Sequence, residues 1–413
     1  MSSHIAFLES NATGSGYEAI LAARERGYPV TFVTRDVGYY LRPGQLPFPL
    51  DAIDRVITCE TNDPAAVVAA LKPIAHELTA LISVGEWYLE AAAQAAWQLG
   101  LVGQKPAAVQ AVRDKSVTRM LCASAGVPVP RFACVTDTEA ALESGIGLPC
   151  VVKPVDDAMS HGVRLCRNQA EVAEHAARLF ADSRNIRGQR KIPAILVEEY
   201  AEGTEVSVEA FVSAGTLRVV MITQKLLVPP PGFIEAGHAV PAQLSAEAAA
   251  ACQDVVRRGL AAIGYDFGAV HAEVRLTAQG PKIIEINGRL AGGHITHLVK
   301  LATGLDMTGI LIGMHLGEPL PPSRPAMRGA AIMFLLGTPG RVRAVTGTGI
   351  AQSVPGVCEV MVPPGLIGTV LGHPAGNADR VGHVIATGTT AAAALSAARQ
   401  AAADITIEIE REM

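Results

Sequence analysis

The residues whose types and spacing could do chemistry gather between Val270 and Gly293, a stretch reading VHAEVRLTAQGPKIIEINGRLAGG. Val270, Ala272, Val274 and Leu276 alternate with His271, Glu273 and Arg275, the period of a half-buried strand. Thr277 to Pro281 carries turn chemistry, after which Ile284 and Ile286 alternate with Glu285 and Asn287. A turn centred on Gln279 pairs Leu276 with Lys282 and sets Glu273 directly across from Glu285. Directly opposed side chains lie about 5 Å apart on one face, and two carboxylates that close repel unless one is protonated or a cation sits between them. A hard divalent ion with oxygen ligands suits the place, and Asn287 adds a third oxygen to the same face. Arg289 follows with a fixed guanidinium fork suited to a carboxylate or phosphate, and Gly288, Gly292 and Gly293 let a ligand approach the backbone. The expectation is a magnesium site for nucleotide phosphates with an arginine beside it. A solvated outer face of a hairpin is the plain alternative.

The rest of the 413-residue chain must position those groups, and its length allows two or three domains. With 49% apolar and only 18% charged residues it can bury a sizeable core and is not a disordered chain. A net charge of −5 and a pI near 6.1 give no reason to expect nucleic acid or an anionic membrane as partner. The seven cysteines form no CxxC and read as reduced thiols. The sequence runs straight into a strand-like HIAFLE, and no apolar run reaches the ~18 to 20 residues that span a bilayer. A cytoplasmic globular protein is expected.

His4 to Glu9 reads as a buried strand, Tyr17 to Arg26 as a helix ended by Gly27, and Pro29 to Thr34 as a second strand. Val56 to Cys59 and Ala80 to Val84 continue this βαβ pattern, giving a first α/β domain over 1–105. Gly14-Ser-Gly16 tempts a dinucleotide reading, but Ala19 stands where GxGxxG needs its third glycine, so a turn is preferred over an NAD-dependent oxidoreductase. Ala107 to Ala125 reads as one helix bearing Lys115, closed by Gly126 and followed by the extended VPVPR. PCVVKP is a strand carrying Lys153, and burying an ammonium without an anion is costly. Val155 to Val163 (VDDAMSHGV) is a glycine-bearing loop, either an ordinary hairpin loop or a mobile cover whose amides and Ser160 reach phosphates. Ser183 to Lys191 is a basic connection, and AILVEEY is a strand. Glu205 to Val212 and Thr216 to Gln224 pair as strands with Lys225 at the end, and LLVPPPGFIEAGHAVPA follows as an irregular loop. A long helix lies within Pro241 to Gly264, another spans Asp306 to Leu316, and residues 328–413 form an α+β tail.

In this order, Lys115 before AGVPVP, Lys153 in VVKP, the glycine loop, EEY and the late acidic hairpin with Asn287 and Arg289 resemble the ATP-grasp superfamily. Within it the chain is similar to carboxylate–amine ligases such as the bacterial L-amino acid ligases, and more distantly to biotin carboxylase. The resemblance implies an α/β and α+β ATP-grasp fold: an N-terminal βαβ domain over 1–105, a linker helix and lid domain over 106–197, and a C-terminal domain over 198–413 that includes the tail. It implies ATP and Mg2+ (Mn2+ as a substitute), small carboxylate and amine substrates, and a homodimer.

Carried over by position, the resemblance assigns Lys115 and Lys153 to the α- and β-phosphates under a cover of Ser160, His161 and Gly162. Glu198, Glu199, Tyr200 and Ala201 meet adenine, mostly through backbone, and Glu205 takes the ribose hydroxyls. Glu273, Glu285 and Asn287 hold metal, Lys225 lies near the phosphoryl acceptor, and Arg289 stabilises an acyl phosphate and the tetrahedral intermediate. His238 matches a substrate-pocket histidine. Gly292, Gly293 and His294 replace an acid or bulky residue of the relatives and enlarge the acyl pocket, which His294 and His297, three apart on a helix, would line. From its own position after a first-domain strand, Glu86 either recognises a substrate amino group or is an ordinary strand end. The implied reaction joins a carboxylate, activated as an acyl phosphate, to an amine and releases ADP and phosphate. The rivals are a carboxylating or formylating enzyme of the purine or biotin type and a non-catalytic nucleotide-binding protein.

Overall fold

A computed structural model describes residues 4–11, 15–41, 48–229 and 232–410. Ala12 to Gly14 of the first loop and Pro230 and Pro231 of the proline-rich stretch, both given a reading from sequence, lie outside the described residues. The chain begins with β1 (His4–Leu8), α1 (Ser15–Glu25), β2 (Val30–Thr34), β3 (Arg55–Thr58), α2 (Pro64–Leu71), β4 (Leu78–Ile82) and α3 (Leu89–Gln98). The strands form a parallel four-stranded sheet in the order β3-β2-β1-β4, as alternation of buried strands and alanine-rich helices requires. β1 and β2 are buried along their whole length.

The single helix expected over Ala107 to Ala125 is two, α4 (Pro106–Arg113) and α5 (Lys115–Ser124). Asp114 breaks it: in extended conformation its carboxylate accepts from the amides of Ser116 and Val117 and caps α5. Lys115 therefore stands at the first position of a helix rather than inside one, and its amide donates to the Val155 carbonyl (2.9 Å).

A second four-stranded sheet, in the order β5-β8-β6-β7, is built from β5 (Phe132–Val135), β6 (Cys150–Pro154), β7 (Arg164–Cys166) and β8 (Ile195–Glu199), with α6 (Thr138–Leu142) and α7 (Gln169–Ala181) between them. The third sheet has eight strands. Its first five are β9 (Thr204–Ser213), β10 (Thr216–Leu227), β11 (Glu235–Val240), β12 (Gly268–Thr277) and β13 (Gly280–Asn287), with α8 (Ala246–Ala262) before the hairpin. After α9 (Ile295–Thr303) and α10 (Met307–His315) come β14 (Gly329–Leu336), β15 (Gly340–Thr346), α11 (Thr348–Gln352), β16 (Val357–Met361), β17 (Val370–Leu371), β18 (Arg380–Gly388), α12 (Ala391–Asp404) and β19 (Thr406–Glu410). The large sheet runs β13-β12-β9-β10-β11-β14-β18-β16, so strands of the tail complete it; β17, β15 and β19 form a separate small sheet.

β11 corrects the irregular loop expected from LLVPPPGFIEAGHAVPA. Glu235 to Val240 is poor in β-branched residues, but it lies between β10 and β14 and bonds to both, so pairing partners override propensity. Val206, Val208 and Ala210 of β9 and Val270, Ala272 and Val274 of β12 pack with Ile283 and Ile286 of β13 against α8. The alternate positions Glu205, Ser207, Glu209, His271, Glu273, Arg275, Glu285 and Asn287 consequently share the opposite face. That polar face gathers the acidic and basic residues singled out on these strands from the sequence. Another core joins α1 and the parallel sheet to α9 and α10, and fixes the first sheet beside the polar face. Among the described residues, no single helix is long and apolar enough to cross a membrane.

Candidate active site

The hairpin places its two acids as expected, by an unexpected route. Glu273 pairs with Glu285, but Leu276 pairs with Pro281 rather than Lys282, because the turn is only Ala278-Gln279. A bulge at Ile284 adds the residue that returns the two glutamates to opposition, since Glu273 faces Glu285 while Val274 faces Ile283. The carbonyl of the bulged Ile284 accepts from Arg119 Nη2 (2.6 Å).

Each acid finds a cation in a lysine. Lys225 Nζ bonds to Glu273 Oε1, lies 2.5 Å from Glu235 Oε1 and 3.5 Å from Glu205 Oε1. Burial works against the Lys225 charge, yet Glu235, Glu273 and Glu205 outweigh it and hold its pKa well above the usual lysine value. Each of the three acids has a further partner: Arg275 on Glu205 (2.8 Å), Arg380 on Glu235 (2.7 Å) and His271 Nε2 near Glu273 (3.4 Å). His271 Nδ1 in turn meets Glu209 at 2.9 Å. Across the hairpin, Lys115 Nζ lies 3.2 Å from Glu285 Oε1 and donates to the Asp157 carbonyl at 2.6 Å.

Lys153, fully buried in β6, meets Glu198 Oε2 at 2.6 Å, and Glu198 Oε1 takes Arg119 Nε at the same distance. Burial favours the neutral Glu198, but Arg119 and Lys153 prevail and its pKa falls; burial, only partly offset by Glu198, lowers that of Lys153. Glu199 is pinned by Lys282 and by Arg131 (2.8 Å), which overcome partial burial and hold it at about 2. Both acidic side chains are thus committed to cations, and Tyr200 and Ala201 lead from β8 to β9. In the glycine loop, Ser160 and Gly162 both take positive φ (58° and 70°), and His161 Nδ1 meets Asp157 Oδ2 at 2.9 Å. The loop reaches the tail, since Asn377 donates its amide to the Met159 carbonyl (3.2 Å).

Glu86 departs from the expected role at a substrate amine. One of its oxygens takes Arg289 Nε and the other Arg113 Nη1 (2.6 Å), so it is saturated by two guanidiniums. Burial opposes its charge, but Arg289, Arg113 and Lys115 together depress its pKa to about 2. Arg289 also donates Nη1 to the Leu290 carbonyl (3.0 Å). His294 corrects the expectation of a helical histidine pair: it sits in left-handed conformation (φ 59°) as the cap before α9, where its ring packs at a 44° tilt against His383, centroids 4.4 Å apart. Burial and His383 push His294 down to about 4. His238 is fully buried, its ring edge-on to Phe334, and a Cβ on Gly293 would stand 2.7 Å from its Nε2. Gly292 faces open space.

Among the described residues, no three His, Cys, Asp or Glu side chains converge as a metal-binding group. The donor chemistry fits a hard cation all the same. Turned one way, the Asn287 amide nitrogen donates to Glu285 Oε1 (3.1 Å) and Glu86 Oε2 (3.3 Å); turned the other, its oxygen joins that of Glu285 as a hard ligand. Arg113, Arg119 and Glu235 were not anticipated. Arg119 is four residues after Lys115 and so on the same helix face, a signal present in the sequence. Glu235 was hidden by the reading of its strand as loop.

Residues 146–297 match the model of the ATP-grasp domain, and residues 332–410 that of L-amino acid ligase C-terminal domain 2. The uncharacterised protein y4rH of Sinorhizobium fredii (strain NBRC 101917 / NGR234) is 32% identical over 316 residues, which are 75% of this chain and 64% of that protein. Carnosine synthase 1 of Homo sapiens is 27% identical over 276 residues, 62% of this chain and 33% of that one. The chain thus spans less than two thirds of the length of either relative. The crystal structure of the L-amino acid ligase from Bacillus licheniformis superposes with a TM-score of 0.82 at 21% identity, covering 99% of both chains, so the fold is shared from end to end.

Proposed function

From an ATP-grasp domain joined to an L-amino acid ligase C-terminal domain, the two parts that place this chain in the ATP-grasp superfamily, we propose an ATP-dependent carboxylate–amine ligase with an amino acid among its substrates. The observation that supports the reading is the set of cations around the acidic hairpin: Lys115 meets Glu285 on it, Lys153 meets Glu198, whose partner Arg119 holds the bulged Ile284, and Arg289, two residues past Asn287, meets Glu86.

A carboxylate is a poor electrophile, so transfer of the γ-phosphoryl group of ATP to its oxygen, with ADP leaving, precedes attack. The amine nitrogen then adds to the acyl carbon, phosphate departs with the C–O bonding pair, and the nitrogen loses a proton. Lys115 and Lys153 neutralise nucleotide phosphates, and Arg289, aligned by Glu86 at Nε, keeps its Nη2 for the oxygen that gains charge. Glu285 and Asn287, with Glu273 opposite, would hold Mg2+, which supplies charge neutralisation for the phosphates when bound. Lys225 lies close enough to the acids to keep the acceptor side from becoming strongly negative. The loop from Val155 to Val163, tied to the tail at Asn377, would exclude water from a hydrolysable intermediate.

The test is release of nucleotide and phosphate by purified protein with Mg-ATP and amino acids, singly and in pairs. ADP and phosphate appearing only with particular pairs supports the ligase and names its substrates. AMP and pyrophosphate would overturn it.

A further inference from the structure

The connection between α7 and β8 carries a guanidinium that the mechanism above does not use. Asn185 folds this segment, its side-chain oxygen accepting from the amides of Arg187 (2.9 Å) and Gln189 (3.1 Å), and Arg187 projects from the tip. The guanidinium enters the crevice at the carboxyl ends of the parallel strands, where such sheets bind their ligands. There Nε donates to the Tyr88 hydroxyl (3.0 Å), and Nη2 to the Tyr40 hydroxyl (2.7 Å) and Glu9 Oε2 (3.3 Å). The Tyr39 ring lies 4.0 Å from its central carbon. Only 7% of Arg187 is exposed, a burial that Glu9, itself 2% exposed, makes tolerable. Two more bonds secure the tip: Arg35 Nη2 donates to the Arg187 carbonyl (3.0 Å), and Gln189 Nε2 to the Trp87 carbonyl (2.7 Å).

The base of the same segment grips the phosphate loop. Lys191 Nζ lies 2.7 Å from Asp157 Oδ2, and the Ile192 amide donates to Asp156 Oδ2 (2.8 Å). Asp157 is the residue whose carbonyl receives Lys115, so the chain of contacts runs from the crevice to a lysine assigned to phosphate.

We propose that Arg187 is a positioning residue: docked on the parallel sheet, it holds the 183–192 strap so that Lys191 and Ile192 fix Asp156 and Asp157, and through them the phosphate loop. The inference rests on the ligase reading for what the loop covers, but the mechanical coupling can be measured apart from it.

Two measurements separate the cases. Amide hydrogen exchange across residues 156–163 of the unliganded protein is expected to accelerate in Arg187→Ala; unchanged exchange overturns the proposal. Calorimetric titration with Mg-AMP-PNP is expected to show about ten-fold weaker binding for Arg187→Ala and for Asp157→Asn, with the double variant no weaker than the weaker single. Additive losses, or wild-type affinity in Arg187→Ala, overturn it. Wild-type protein that binds no Mg-AMP-PNP would overturn the ligase reading, and the exchange measurement on unliganded protein would then decide the coupling by itself. Should Arg187→Ala fail to melt cooperatively, Arg187→Lys keeps a charge beside Glu9 without spanning both tyrosine hydroxyls. It is expected to accelerate exchange to a lesser degree, and exchange at the wild-type rate would count against the strap.

Discussion

Glu273 and Glu285 face each other across the β12–β13 hairpin only because Ile284 is bulged, and Arg119 holds the bulged carbonyl. The opposition of the two acids is thus tied to the buried network of Arg119, Glu198 and Lys153. Substituting Glu285→Gln keeps the shape and removes the charge that Lys115 meets. Turnover, followed as ADP release, is expected to fall about 100-fold or more with far-UV circular dichroism unchanged. Full activity would remove Glu285 from the chemistry.

Arg289→Lys should cut turnover severely while nucleotide binding survives, because a point charge cannot replace a fork that bonds Glu86 and Leu290 together. Glu86→Gln attacks the same arrangement from below. It leaves Arg113 buried against a neutral amide, and a loss of about 3 kcal/mol in denaturant unfolding is expected. A Glu86→Gln variant as stable as wild type would show that the bridge is dispensable.

His271 gives the protein a predictable alkaline limb. Burial opposes its charge, but Glu209 raises the folded-state pKa to about 9, above the 6.5 of an unperturbed histidine. A group raised in this sense contributes its stability fully below pH 6.5 and loses it as pH rises through about 9, here on the order of 3 kcal/mol. Unfolding free energies measured from pH 6 to 10 should decline across that window, and His271→Gln should flatten the decline. An equal slope in both proteins would assign it elsewhere.

Gly292 and Gly293 should respond oppositely to alanine. At Gly293 the φ of 60° strains any side chain and the new methyl meets His238, so lowered melting temperature and activity are expected. At Gly292 the methyl meets nothing within 4 Å. Gly292→Ala should keep its stability, and if the residue borders the acyl pocket the variant narrows the range of carboxylates accepted in the ADP-release assay.

The sequence made the hairpin legible because its period-2 alternation survives one bulge: every apolar position from Val270 to Val274 faces α8 and every polar one the site. The break at Asp114 was not legible, since helix formers flank it and a single cap residue leaves the periodicity almost intact. β11 was hidden because its strand character comes from β10 and β14 and not from EAGHAV. Arg187 was the least accessible. It sits in a segment without periodicity, and its partners Tyr88, Tyr40 and Glu9 lie 99, 147 and 178 positions away along the chain.

The tail shares a sheet with the polar face of the hairpin, and this bears on how the chain can be divided. The matched C-terminal domain begins at residue 332, inside β14, whose residues Ala330 to Met333 are bonded to β11. Cutting there would strip β11 of its neighbour and leave a row of unpaired amides and carbonyls, an edge that templates pairing with other chains. A fragment ending before β14 should therefore self-associate rather than persist as a smaller nucleotide-binding protein. Exchange of C-terminal modules between relatives would have to replace β14, β16 and β18 as a set.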